Sequence, residues 1–299
     1  MIHRDPISLL RLYVRARTSA KYALDRNLIG MEFNHFGHQL GWRLLKKGDM
    51  SGVGYLLNPV SSVRYFEFPF ALSCLLDTPG RCLDVSSPRL FSLYTAEKHI
   101  ASSILMINPD IRDLDYTGSV IQKLGINSIQ LEHCGVESLA SQREMYDCVW
   151  SISVIEHIEG DCNDTQAIQL MYNALKKGGK LILTIPVDRH FWDEYRDVDY
   201  YGSQGKPLSQ GKYFFQHFYD KVAILDRLLS PIDREPSVIR WFGETCPGSF
   251  AEYIQRWVCQ GYECTVLDPR HVVDNYREFG SWEEMPGMGV CGLMIEKPR

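Results

Sequence analysis

YDCVWSISVIEHI, from Tyr146 to Ile158, joins a dense apolar run to a polar tip, and the fold is read outward from it. Cys148, Val149, Trp150, Ile152, Val154 and Ile155 are apolar without strict alternation, the pattern of a strand covered on both faces in a parallel sheet. Ser151, Glu156 and His157 fall at or beyond its carboxyl end, where open α/β sheets bind ligands. The plainer alternative is that Glu156 opens the next connection and His157 is a polar edge residue.

The following residues supply context. The segment 161–177 reads as a helix with Asp164 and Thr165 as candidate caps. Ile168, Met171, Tyr172 and Leu175 are at helical spacing, and Gly178-Gly179 is the stop. Lys180 to Pro186, KLILTIP, reads as a second buried strand. A strand ending in an acidic-His pair, a helix, LKKGG and LILTIP together resemble the second half of a class I S-adenosylmethionine-dependent methyltransferase. The resemblance implies a Rossmann-like, doubly wound, mostly parallel seven-stranded sheet with an antiparallel edge strand, and S-adenosyl-L-methionine as cofactor. It covers 81–186 well, 213–299 loosely and 1–80 hardly at all, so two regions are expected: an N-terminal helical or lid segment (1–80) and a methyltransferase-like domain (81–299).

RCLDV, Arg81 to Val85, reads as the first strand after the turn Thr78-Pro79-Gly80. The resemblance implies an acidic residue at its end, matched by Asp84, followed by a glycine-rich turn that lets the backbone approach the cofactor. Ser86, Ser87, Pro88 and Arg89 stand where those glycines belong. Ser86 and Ser87 remain small donors, and Pro88 suits the first turn of a helix through Leu90, Leu93 and Tyr94. The second strand, Ser102 to Asn108, ends in Asn108 where the family has a ribose-binding acid; Asp110 follows across Pro109. A neutral amide accepts through one oxygen only, which weakens the ribose contact or moves it to Asp110. After a helix at 112–125 and a short strand at 128–131, Gly135 replaces the acid of the adenine loop. That leaves backbone contacts near Val136, with His133 and Glu137 as polar neighbours. Ser151 completes the expected cofactor positions.

Composition sets outer limits. The 299 residues are 45% hydrophobic, enough for a full core, and the net charge of -5 does not suggest a nucleic-acid footprint. Nine scattered cysteines without a CxxC pair argue for reduced thiols in a cytoplasmic protein. His35 and His38 lack a Cys or acidic partner at ligand spacing, so no metal site is expected. No apolar run approaches the length of about 20 residues that spans a bilayer, and Arg4, Asp5 and Arg11 break up any leader-like core. Residues 7–28 read as an amphipathic helix carrying Arg11, Arg15, Arg17, Lys21 and Arg26. Such a helix is either a solvated face or one that lies on an anionic membrane.

Before the first strand, Arg64 or Tyr65 is expected to meet the carboxylate of the methionine moiety, unless RYFEF is only an apolar helix on the sheet. After LILTIP comes a long loop, 187–212, carrying His190, Phe191, Trp192, Tyr195, Tyr200 and Tyr201: a substrate lid, or a cover for the sheet edge. A helix is expected over 213–229, strands at 238–242 and 290–296, and an insertion at 244–285 with a helix at 249–260. The function implied is methyl transfer to an O or N atom of a small molecule, with His157 as base and Glu156 orienting it or binding substrate. Two alternatives stand beside it. One is a methyltransferase-like scaffold that has lost the cofactor. The other, a nicotinamide enzyme, lacks its GxGxxG turn. Neither acceptor nor oligomeric state is legible.

Overall fold

The computed structural model describes residues 5–76, 80–199 and 211–299. Four helices come first: α1 (Pro6–Leu24), α2 (Met31–Lys46), α3 (Gly52–Leu57) and α4 (Arg64–Leu75). Strands and helices then alternate through β1 (Arg81–Val85), α5 (Arg89–Glu97), β2 (Ser103–Ile107), α6 (Ile111–Leu124), β3 (Ile129–Glu132), β4 (Tyr146–Ile152), α7 (Asp164–Ala174) and β5 (Leu175–Val187). The remainder comprises β6 (Trp192–Arg196), β7 (Tyr213–Phe218), α8 (Lys221–Ala223), β8 (Val238–Glu244), α9 (Ser249–Gln260), α10 (Tyr262–Thr265), α11 (Asp268–Asn275), β9 (Tyr276–Phe279) and β10 (Gly289–Glu296).

Eight strands form one sheet in the order β3-β2-β1-β4-β5-β10-β8-β9. The first five run parallel, β10 is antiparallel to β5 and β8, and β9 is antiparallel to β8. This is the expected Rossmann-like fold with one strand more than the seven anticipated: β9, four residues at the outer edge, was too short to announce itself. The strand order reverses between β1 and β4, so the connections after these two strands leave in opposite directions and open a crevice at their carboxyl ends.

The apolar run of β4, which lacks strict alternation, is explained by two cores. Cys148, Trp150 and Ile152 enter a cluster with Phe33, Phe68 and Phe91 from α2, α4 and α5, while Val149 enters the opposite cluster with Ile168 and Met171 of α7. Neither face meets water, so alternation of polar residues would bury unpaired groups.

Three local expectations need correction. The cap of α7 is Asn163, whose side chain accepts from the Gln166 N–H while Gln166 returns the bond, a capping box. Asp164 instead is fully buried, accepting from Arg227 at 2.7 and 2.8 Å and from the Tyr219 hydroxyl at 2.9 Å. Strand β5 starts at Leu175, because Leu175 pairs with Tyr146 and Lys180 with Cys148; the Gly178-Gly179 pair is a bulge within it, not a loop before it. Finally, Tyr213 to Phe218 is a strand, not the start of a helix, and pairs with β6. Thr78, Pro79, Tyr200 and Tyr201 lie outside the described residues.

The turn after β1 keeps the conformation of a glycine turn without glycine. Ser86 has φ +55°, in the left-handed region, at a cost of about 1–2 kcal/mol for a residue with a Cβ. Its N–H and hydroxyl both donate to the Ile107 carbonyl, at 2.9 and 3.1 Å, which offsets the strain. Comparing Ser86→Gly with Ser86→Ala separates strain from hydrogen bonding, since both lose the hydroxyl and only alanine keeps the strain. Chemical denaturation should find the alanine variant less stable by about 1 kcal/mol. Equal stabilities would show that the backbone there is relaxed.

Candidate functional site

Ser153, directly after β4, is a second serine in the left-handed region, with φ +50°. Its N–H donates to Thr184 of β5, and its hydroxyl donates to Glu67 of α4. Two strained serines thus flank the crevice, one on each side of the β1/β4 switch, and backbone strain of this kind gathers at binding sites. Glu67 is fully buried; its Oε1 also accepts from the Thr184 hydroxyl at 2.9 Å, while its Oε2 has no partner among the described residues. Glu156 is 2% exposed, and its Oε2 is likewise unpartnered. Burial, with the Glu67 carboxylate adding to it, pushes the Glu156 carboxyl well above the usual range.

Glu156 and His157 open onto a pocket of about 260 Å³, lined also by Arg64, Ser153, Arg196 and Phe215. Phe250 and Tyr253 of α9 and Tyr276 of β9 wall it, so the insertion contributes to the site. His157 Nδ1 lies 2.6 Å from the Phe215 carbonyl, which accepts only, so Nδ1 carries the proton and Nε2 the lone pair. Burial pushes this imidazole down to about 4, and the cationic Arg64 and Arg196 add to the effect.

The residues expected to bind cofactor are gathered at the carboxyl ends of the parallel strands, but most are engaged by the protein itself. Asp84 is fully buried, accepting from the Ser87 N–H at 2.9 Å and from the Ser92 hydroxyl. The Ser87 hydroxyl accepts from the Ile152 N–H at 3.0 Å and so joins the turn to β4. Asn108 accepts from the Asp110 N–H at 2.9 Å and donates to Asp113 at 3.2 Å, while Asp110 caps α6 and pairs with Arg112. Val136 is buried at the start of the turn 136–141, and the Ser151 hydroxyl is buried without a partner among the described residues.

Other expectations divide. Arg64 lines the pocket, but Tyr65 is fully buried and accepts from Asn34 at 2.6 Å, away from it. Trp192 stacks on Phe218 and Phe191 packs against His217 and Tyr219, so these loop aromatics build the β6–β7 hairpin, whose Arg196, Phe215 and Gln216 reach the pocket. His133 is exposed and bonded to the Pro109 carbonyl, and Glu137 is exposed. Glu67, Tyr253 and Tyr276 were not foreseen as site residues. The one sequence cue was an acidic residue within the apolar run RYFEFPF, since a buried carboxylate in a helix facing the core needs a reason.

Residues 87–183 match the family model for a methyltransferase domain. No curated protein matches the sequence. Among solved structures, the MccD protein superposes with a TM-score of 0.51 and 10% identity, covering 78% of this chain and 96% of that one. Haemonchus contortus phosphoethanolamine N-methyltransferase 2, solved with phosphomonomethylethanolamine and S-adenosylhomocysteine, gives 0.50 and 14% identity over 80% of this chain and 54% of that one. The Streptomyces coelicolor A3(2) geranyl diphosphate C-methyltransferase, solved with Mg2+, geranyl diphosphate and S-adenosyl-L-homocysteine, gives 0.47 and 13% over 76% and 75%. At these identities the likenesses speak to fold alone. The chain thus carries a methyltransferase domain over residues 87–183, on a sheet whose order reverses where the serine turn and the Glu156–His157 pair meet.

Proposed function

We propose that this enzyme methylates an oxygen or nitrogen atom of a small molecule held in the pocket between the end of β4, the β6–β7 hairpin and α9. The observation that carries the proposal is His157, a neutral imidazole with its tautomer fixed by the Phe215 carbonyl and its ring on the pocket wall.

The donor set fits the methionyl half of the cofactor. Glu67 and Glu156 each keep an oxygen without a partner among the described residues, which suits an ammonium and a sulfonium, and Arg64 suits the α-carboxylate. The adenosyl half has fewer open side chains. Asp84 and Ser87 serve by shaping the turn, Ser86 by presenting its backbone, Ser151 by its orphaned hydroxyl and Val136 by its backbone near the adenine. Asn108 orients Asp110, whose side chain is 28% exposed and retains lone pairs for a ribose diol. Once bound, S-adenosyl-L-methionine supplies a sulfonium methyl already activated for transfer.

The protein then has to align the acceptor, exclude water and take a proton. Phe250, Tyr253 and Tyr276 give a planar or apolar acceptor its contact area, and the buried Glu156 restricts water near the reacting atom. His157 Nε2 accepts the proton released by a hydroxyl or amine. Tritium transfer from labelled S-adenosylmethionine to a panel of hydroxyl- and amine-bearing small molecules tests this directly. His157→Gln should lower kcat on the accepted compound by about 10²–10⁴-fold with cofactor affinity unchanged. Transfer to carbon only, or an unaltered kcat, would remove the O/N assignment or the base. A folded protein without transfer to any compound would favour the scaffold alternative.

The same imidazole sets a pH dependence. Its folded value of about 4 lies below the ordinary unfolded value of about 6.5, so the unfolded chain binds more protons between them. Stability from this group is therefore complete above about pH 6.5 and is lost as pH falls toward 4, on the order of 2–3 kcal/mol in all. Urea denaturation at pH 7.0 and 4.5 should show a smaller acid loss for His157→Asn than for the parent protein. Identical losses would mean the ring is not buried neutral.

A further inference from the structure

Helix α1 carries a surface that neither the sheet nor the pocket uses. Its inward face is Leu12, Ala16, Ser19, Ala20 and Ala23, and Leu12 and Ala16 pack with Leu57 and Val266. Its outward face is not the polar surface that such packing usually leaves: Ile7, Leu10 and Val14 are 64%, 61% and 54% exposed. These three stand one turn apart on one line of the helix. Arg11 and Arg15 border that line on one side, Arg17 and Lys21 on the other, and all four are exposed. From Pro6 to Leu24 the helix has four basic and no acidic residues, in a chain of net charge -5.

We propose that α1 docks this face on the surface of an anionic lipid bilayer. An apolar line that enters the acyl boundary, flanked by cations at headgroup level, is the arrangement of helices that lie in the membrane interface. The opposite charge of the bilayer supplies the attraction, and the three aliphatic side chains supply depth. A nucleic acid would use the arginines and leave the aliphatic line against water. Among the described residues no helix is long and apolar enough to cross a membrane, so the contact is peripheral.

Co-sedimentation of the full-length protein with vesicles of phosphatidylcholine alone, and with phosphatidylglycerol added, tests the proposal. Binding should appear with the anionic lipid, rise with its fraction and fall with salt. Each charge removed in Arg11→Gln, Arg15→Gln or Arg17→Gln should weaken it about fivefold. The triple change Ile7→Ser, Leu10→Ser and Val14→Ser should weaken it about tenfold or more with all charges in place. A Leu10→Trp variant should shift its fluorescence to the blue on adding anionic vesicles and not neutral ones. No binding to anionic vesicles by folded protein would overturn the proposal. So would binding that the triple serine change leaves intact, or tighter binding to duplex DNA than to the vesicles.

Discussion

A carboxylate with no access to water must find its donors within the protein, and Asp84 at the end of β1 finds them in the turn that follows. Burial pushes its carboxyl upward, and the Ser92 hydroxyl and the Ser87 N–H pull it back. The chain is thereby bent back toward β2, Ser86 is forced into the left-handed region, and Ser87 is delivered to the Ile152 N–H across the β1/β4 gap. The mouth of the crevice depends on this one buried acid. A glycine turn obtains such a bend from backbone freedom; this chain obtains it from side-chain hydrogen bonds.

The second consequence is electrostatic. Because the turn closes around its own side chains, the unsatisfied charge of the site moves toward β4 and β5, where Glu156 lines the pocket with Arg64 and Arg196, and Glu67 is buried behind it against Ser153 and Thr184. The Glu67 carboxylate adds to the burial that raises the Glu156 carboxyl, and a cationic ligand beside Glu156 opposes that rise. The neutral His157 belongs to the same balance: burial raises the Glu156 carboxyl and lowers the His157 imidazole, so acid and base are pushed apart, while Arg64 acts downward on both.

What was legible in the sequence follows from which forces act locally. β1, the two-faced β4 and the helices α5, α6 and α9 were legible because burial on both faces and 3.6-residue periodicity leave their mark within a dozen residues. β7 was misread because YFFQHF is aromatic on both faces and its partner strand lies across a long connection, so pairing and not periodicity decides it. β9 is four residues at an edge and has no pattern to show. In the site, Glu156, His157 and Arg64 were visible as polar residues at a strand end or in an apolar run. The engagement of Asp84, Asn108 and Asp110 by internal partners was not, because hydrogen bonding across elements has no sequence period. Glu67 was visible only as an oddity whose reason came from tertiary packing against Ser153 and Thr184.

On the reading proposed for this site, a serine turn builds a working cofactor crevice whose charge is completed by Glu156. Calorimetric titration with S-adenosylmethionine in two buffers of different ionisation enthalpy tests it most directly, because a raised carboxyl must shed its proton when a cation arrives. Binding is expected with net proton release at a pH above the ordinary carboxyl range, where the raised Glu156 carboxyl still holds its proton, and the release disappears in Glu156→Gln. Absence of binding at millimolar ligand by folded protein, or binding without proton exchange, would contradict it.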